Sequence, residues 1–247
     1  MSLVDALSHH SFIRSIFHYE SLTSTNVVAL ERCASGELKD GDMIITDFQT
    51  EGKGRFQNKW HSRPGEDILM SLVLKPKCSI NQISCLSFPL GIALHNALAH
   101  YIPAHVSIRL KWPNDILIDG KKCAGMLHAI EPSSGLVVIG VGVNVNQHIE
   151  MPDRTSLKMI SGIQLNRTEV LNDILFVIGN HLEDIVTASI SVDDWNQRAA
   201  YIGQNVQVVD QQIISGQFLG INQQGAALIR NQRSVSSVLT GHGFRLA

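Results

Sequence analysis

Cysteine, net charge and long apolar runs are all scarce in this chain. The four cysteines, Cys33, Cys78, Cys85 and Cys123, fall in no CxxC spacing, so they are expected as reduced, partly buried thiols of a cytoplasmic protein. The formal net charge is −2 over 247 residues, which leaves no global basic field for nucleic acid; any cationic site must be local. No apolar run is long enough to span a bilayer, and the opening MSLVDALSHHSFIRS lacks the basic start and apolar core of a secretory signal. HExxH is absent, and His95, His100 and His105 recur every five residues, a spacing that does not stack them on one helix face. Exposed or locally bonded histidines are therefore expected, not a metal cage. The Walker pattern GxxxxGK[ST] is absent too, and GVGVNV carries Val145 where a dinucleotide fingerprint needs its third glycine.

What is present fits a folded α/β chain with a sizeable core: 44% hydrophobic residues against 17% charged. Residues 11–20 suggest a first strand. Ser24, Thr25 and Asn26 are good helix caps ahead of VVALERCA, so a helix is expected from there to Gly36. MIITDFQ (43–49) and DILMSLVLKP (67–76) read as strands, and residues 81–101 as one long helix despite Pro89. Residues 107–130 read as strand, proline break, strand, Asp119-Gly120 turn, strand. A buried strand follows at 136–146. One helix is expected over 168–188 with Thr168 as its cap, and a short one over 192–201. After Gly203, short alternating runs separated by Gln, Asn and Gly suggest a small all-β module of roughly 45 residues, near the lower limit for folding alone and expected to lean on the rest.

Two basic stretches stand out. In GKGRFQNKW (52–60) glycines let the backbone approach a ligand, successive N–H groups can form an anion-binding concavity, and Lys53 and Arg55 add charge. A solvated basic turn is the alternative. In RLKWPND (109–115), Lys111 stands at the end of a strand broken by Trp112-Pro113, placed either to enter a cleft or to snorkel to solvent.

Taken in order, STN (24–26), DFQTEGKGRFQNKW (47–60), RLKWPNDI (109–116), KKCAGML (121–127) and IGVGVNVN (139–146) resemble the biotin protein ligases, from about residue 17 to the C-terminus. The resemblance implies an α/β (α+β) fold: a mixed β-sheet flanked by helices, the class II synthetase-like architecture shared with lipoate ligases, over residues 1–200. A small SH3-like β-barrel would follow over 203–247. It also implies a reaction. Biotin and MgATP give biotinyl-5′-AMP, and the acyl group passes to a lysine of a biotin carboxyl carrier domain, in acetyl-CoA carboxylase or a related carboxylase. Mg²⁺ enters through the phosphate chemistry and not through a protein ligand set.

By the same resemblance Ser24, Thr25, Asn26 and Gln49 would bind the ureido end of biotin. Gly52, Lys53, Gly54 and Arg55 would form the loop over biotin and the phosphates, and Lys111 would stabilise charge at the carboxylate and α-phosphate. Arg55 and Lys111 are the implied catalytic pair. Gly125 and Gly140 through Gly142 would wall the pocket, Asn144 would meet adenine, and Trp60 would support the loop and the nucleotide. HIEMPDRTSL (148–157) would cover the adenylate.

The loop departs from the family's usual GRGRxGRxW at Lys53, Gln57 and Asn58, so faster release of the intermediate is expected. About 20 residues precede the catalytic segment, too few for a helix-turn-helix, so a monofunctional ligase without DNA or membrane binding is expected, as monomer or homodimer. Lipoate or octanoate transfer on the same fold and a non-catalytic biotin-binding regulator remain as rival readings.

Overall fold

The structure, a computed structural model, describes residues 3–232 and 234–247, apart from the Gln57 side chain. A large mixed sheet carries the site. Its strands are β1 (Ser15–Tyr19), β2 (Asp42–Thr46), β3 (Ile68–Leu74), β4 (Ile108–Lys111), β5 (Asp115–Ile118), β6 (Lys121–Glu131) and β7 (Leu136–Val143). They lie in the order β1-β2-β3-β7-β6-β5-β4. Only β1 and β2 run parallel; the other neighbours are antiparallel. Asp119 and Gly120, at φ 50° and 75°, make the tight turn from β5 to β6, the backbone that Asp-Gly favours in a two-residue hairpin.

Alternation along the strands sorts the two faces. On one, Met70 and Leu72 of β3 and Val137, Ile139 and Val141 of β7 pack into the main core, with α3 (Ser87–Ala99) and α5 (Arg167–Asn180) against them. On the other, Val73, Leu136 and Val138 pack beneath α2 (Thr25–Ala34) with Ala29 and Cys33. The same face continues along β7 as Gly140 and Gly142, along β3 as Ser71 and along β6 as Gly125, in register with one another. Where side chains give out, the sheet surface is bare.

A short helix α1 (Leu3–Leu7) precedes β1, and α4 (Leu157–Ser161), α6 (Leu182–Thr187) and α7 (Val192–Arg198) complete the helical layer. The expected helix over 81–101 is in fact a 3-10 segment, Ile80–Leu86, running into α3. Pro89 falls in the first turn of α3, where a missing N–H has no intrahelical partner to lose. The expected helix over 168–188 breaks at His181 into α5 and α6, and Asn166, not Thr168, caps α5 by accepting from the Thr168 N–H.

Strands β8 (Asn205–Val209), β9 (Ile213–Ile221), β10 (Ala227–Arg230), β11 (Val235–Val238) and β12 (His242–Leu246) form a second, antiparallel sheet. Its apolar side chains Val206, Phe218 and Phe244 belong to the same contiguous core as Trp112 and Trp195. Trp112 is the joint: its Nε1 donates to the Gly225 carbonyl at 3.0 Å, and its ring meets Phe244 at 5.5 Å. No helix among the described residues is long and apolar enough to cross a membrane.

Candidate active site

A cavity of about 560 Å³ opens over the bare glycine face, bounded by α2, the loop after β2, the β4–β5 corner and the start of β12. Its volume suits a nucleotide-sized or vitamin-sized ligand.

One end is neutral and polar. Ser24 stands at the N-cap of α2 in extended geometry but makes no capping bond; it is buried and lines the cavity instead. Gln49 Oε1 accepts from the Thr25 N–H at 2.8 Å and from Thr25 Oγ1 at 3.2 Å. Ser71 Oγ donates toward Thr25 Oγ1 and Asn26 Oδ1, while Asn26 Nδ2 donates to the Leu127 carbonyl at 3.0 Å. Gly140 makes this arrangement possible, because a Cβ there would fall 2.1 Å from Asn26 Oδ1. These side chains are locked by one another, as a rigid binding wall requires.

The glycine-basic loop is a small hairpin. Lys53 bridges Lys59, Trp60 N–H donates to the Gly52 carbonyl at 2.9 Å, and Gly54 N–H donates to Asn58 O at 2.7 Å. Gly52 sits at its neck and not in the cavity wall; a Cβ there would meet Trp60 O at 2.4 Å. The tip is a 3-10 turn over Arg55–Gln57, and the Gln57 side chain, one of the departures noted in the sequence, lies outside the described residues. Trp60 lies on Gly142, where a Cβ would be 2.6 Å from its ring, and against Gly125.

The other end is cationic. Arg55 is largely desolvated, which lowers its pKa; its Nη1 reaches Asn114 Oδ1 at 3.4 Å. Asn114 in turn donates to the Met126 carbonyl, so it braces Arg55 against β6. Lys111 lines the cavity from the end of β4, directly opposite Asp115. Burial lowers its pKa first; Asp115 opposes that and Lys122 adds to it.

Lys122 and Asp115 are site residues that sequence reasoning missed. Lys122 Nζ sits 2.6 Å from Asp115 Oδ1 and 5.5 Å from the Trp60 ring centroid. Regular alternation would put Lys122 and Gly125 on opposite faces. The register shift opposite Ile116 and Leu117 inserts one residue into β6 and brings Lys122 round to the Gly125 side. Asn144 is not brought to the cavity: its amide donates to the Thr155 carbonyl at 2.9 Å and accepts from Gln147. It anchors the segment whose Asp153 and Arg154 do line the cavity.

Ammonium and guanidinium groups thus outnumber carboxylates around a glycine floor on which Asn26 and Trp60 rest, an arrangement suited to two anions held together. Among the described residues no three His, Cys, Asp or Glu side chains converge on a metal position.

Residues 18–146 match the biotin/lipoate A/B protein ligase family, and the chain belongs to that family. It is 31% identical over 235 residues to the bifunctional ligase/repressor BirA of Bacillus spizizenii, covering 89% of this chain and 71% of that protein. It is 33% identical over 192 residues to the biotin–[acetyl-CoA-carboxylase] ligase of Mycobacterium tuberculosis, covering 75% and 71%. The biotin protein ligase of Aquifex aeolicus, solved in complex with biotin and ATP, superposes with a TM-score of 0.80 at 28% identity, covering 95% of this chain and all of that one.

Proposed function

We propose that this protein activates biotin with ATP and transfers it to a lysine of a biotin carboxyl carrier domain, that of acetyl-CoA carboxylase or a related carboxylase, in the cytoplasm. The observation that carries this reading is the polarity of one cavity: a neutral wall of Ser24, Thr25, Asn26 and Gln49, braced from behind by Ser71, at one end, and Arg55, Lys111 and Lys122 at the other. A ureido ring fits the first, and a carboxylate meeting a triphosphate fits the second.

In the first step a biotin carboxylate oxygen attacks the α-phosphorus, an O–P bond forms, and pyrophosphate leaves. No side-chain nucleophile is needed. Lys111, Lys122 and Arg55 offset the charge that builds on the α-phosphate oxygens, and they do so from fixed positions in a partly desolvated site, where such interactions count for most. Holding both anions side by side supplies the other large contribution. Mg²⁺ bound on the triphosphate would neutralise further charge. In the second step the acceptor amine attacks the acyl carbon and AMP leaves. Trp60, packed on Gly142 and lining the cavity, offers a ring for the adenine, and the segment at 148–157 offers Asp153 and Arg154 at the cavity edge. We assign the catalytic unit to residues 1–200 and an SH3-like module to 203–247.

The test is acceptor modification followed by mass spectrometry. Biotin, lipoate and octanoate are each offered with MgATP, with a biotin carboxyl carrier domain and a lipoyl domain in parallel. Biotin on the carrier lysine, lost in Lys111→Ala, is the expected result. Transfer of lipoate or octanoate alone would replace the reading, and tight biotin binding without transfer would leave a binding protein.

A further inference from the structure

The tip of the loop hairpin is strained and exposed. Phe56 holds φ at 53°, a left-handed conformation that a bulky side chain rarely adopts. Its ring is 55% exposed. Neither feature helps the loop to fold: glycine or asparagine would take this backbone with less strain, and water would favour a polar tip. Strain of this kind persists where the surroundings impose it, and it concentrates at functional positions.

The surroundings here are two side chains. The His242 ring meets the Phe56 ring edge-on, with centroids 5.1 Å apart and planes at 80°, the preferred arrangement for an aromatic pair. The Arg55 guanidinium carbon lies 4.9 Å from the Phe56 centroid. His242 opens β12, and both His242 and Arg245 of that strand line the cavity. Phe56 thus joins the loop to the second sheet and flanks the arginine that faces the substrates.

We infer that Phe56 and His242 form an aromatic latch that closes the loop hairpin against the second sheet and sets Arg55 over the cavity, slowing escape of the acyl-adenylate. This rests on the biotin-activating reading above. Phe56 is a positioning residue: it acts through Arg55 and through the closed state of the hairpin. The latch also offers a physical answer to the altered loop. Lys53 and Asn58 weaken the grip expected of the family pattern, and an aromatic contact outside the phosphate site supplies hold from another direction.

The closed hairpin can be read without any ligand. Amide exchange of Gly54, Asn58 and Trp60, whose N–H groups donate to Asn58 O, Arg55 O and Gly52 O, is measured on the full chain. Phe56→Ala and His242→Ala should each speed exchange at these amides about fivefold, the size of one aromatic pair. The double variant should add nothing further, and His242→Phe should retain wild-type protection. Unchanged exchange in either single variant, or effects that multiply in the double, overturns the latch.

In a second arm, release of preformed biotinyl-AMP should rise by the same factor. Faster exchange without faster release overturns the retention role. Absence of biotinyl-AMP in the wild type would sink the functional reading instead, and the exchange arm would still decide the latch.

Discussion

Lys122 and Asp115 form an ion pair, Nζ to Oδ1 at 2.6 Å, with only 28% and 16% of their side chains exposed. The pair stands beside Lys111, and it resolves a local problem: two ammonium groups share one partly buried wall, and the carboxylate beside them offsets their mutual repulsion. Lys122→Ala should therefore lower adenylate formation by roughly 10²–10³-fold, the usual loss when a fixed charge-stabilising group is removed. Pyrophosphate release in single-turnover mixing measures it. A change below about threefold would remove Lys122 from the charge-stabilising set.

Asp115→Asn acts on Lys111. Burial lowers the Lys111 pKa and the Asp115 carboxylate opposes that. With the carboxylate gone, Lys111 loses its proton at a lower pH, so the alkaline limb of the kcat/KM profile should move toward neutral pH. Lys111→Arg should hold that limb in place, because a guanidinium stays charged.

The glycines of β7 divide the cavity. A Cβ on Gly140 collides with Asn26, and one on Gly142 collides with the Trp60 ring. Gly140→Ala should raise the KM for biotin, and Gly142→Ala the KM for ATP. Each change should be about tenfold or more, since overpacking costs roughly 1–3 kcal/mol. Steady-state kinetics with each substrate varied separates them, and equal effects on both substrates would contradict the two-ended cavity.

The legibility of this site in the sequence followed its chemistry residue by residue. Lys111 and Arg55 sit in short basic motifs readable from the local backbone, Gly140 and Ser24-Thr25-Asn26 enter as site residues only with the family resemblance, and all of them meet in one cavity. Lys122 lies two residues past the Asp119-Gly120 turn, inside KKCAGML, where plain alternation would face it away from Gly125; the bulge that turns it inward has no sequence signature. Trp112, read with Pro113 as the break that ends the strand of Lys111, lines the cavity and is also the peg between the two sheets, because its Nε1 finds a partner more than a hundred residues away in the chain, Gly225. Asn144 carries a motif position, yet its amide is consumed by Thr155 and Gln147. The strands and most helices followed from periodicity and turn residues. The break at His181 did not, since both sides of it carry helical spacing.

Two buried groups give opposite slopes of stability with pH. Asp67 is pushed up to about 7, chiefly by burial, against hydrogen bonds from the Val145 and Arg63 amides. Between its unfolded value near 4 and 7 the folded state holds a proton that the unfolded state has lost, so stability falls as pH rises. His128 is pushed down to about 4 by burial and by Arg55. Between 4 and its unfolded value near 6.5 the unfolded state holds the extra proton, so stability rises with pH. The two partly cancel in the wild type. Asp67→Asn should leave the rise alone, and its advantage over wild type in Tm should grow from pH 4 to 7 and then level. Calorimetry across that range measures it, and an advantage independent of pH would mean that Asp67 stays ionised.

Trp112→Phe tests whether the two sheets unfold together. The substitution keeps an aromatic ring against Phe244 but removes the Nε1–H that satisfies the buried Gly225 carbonyl. Leaving such an acceptor unpaired costs about 1–3 kcal/mol, or roughly 4–8 °C in Tm for a chain of this size at the middle of that range. Because Val206, Phe218 and Phe244 share one continuous core with Trp195 and the helical layer, the variant should still melt in a single transition, at lower temperature. Since His242 and Arg245 reach the cavity from the second sheet, the KM for ATP should rise with it. A second, separate transition for residues 203–247 would show that the small sheet folds alone, and that its contribution to the cavity is docked and not built in.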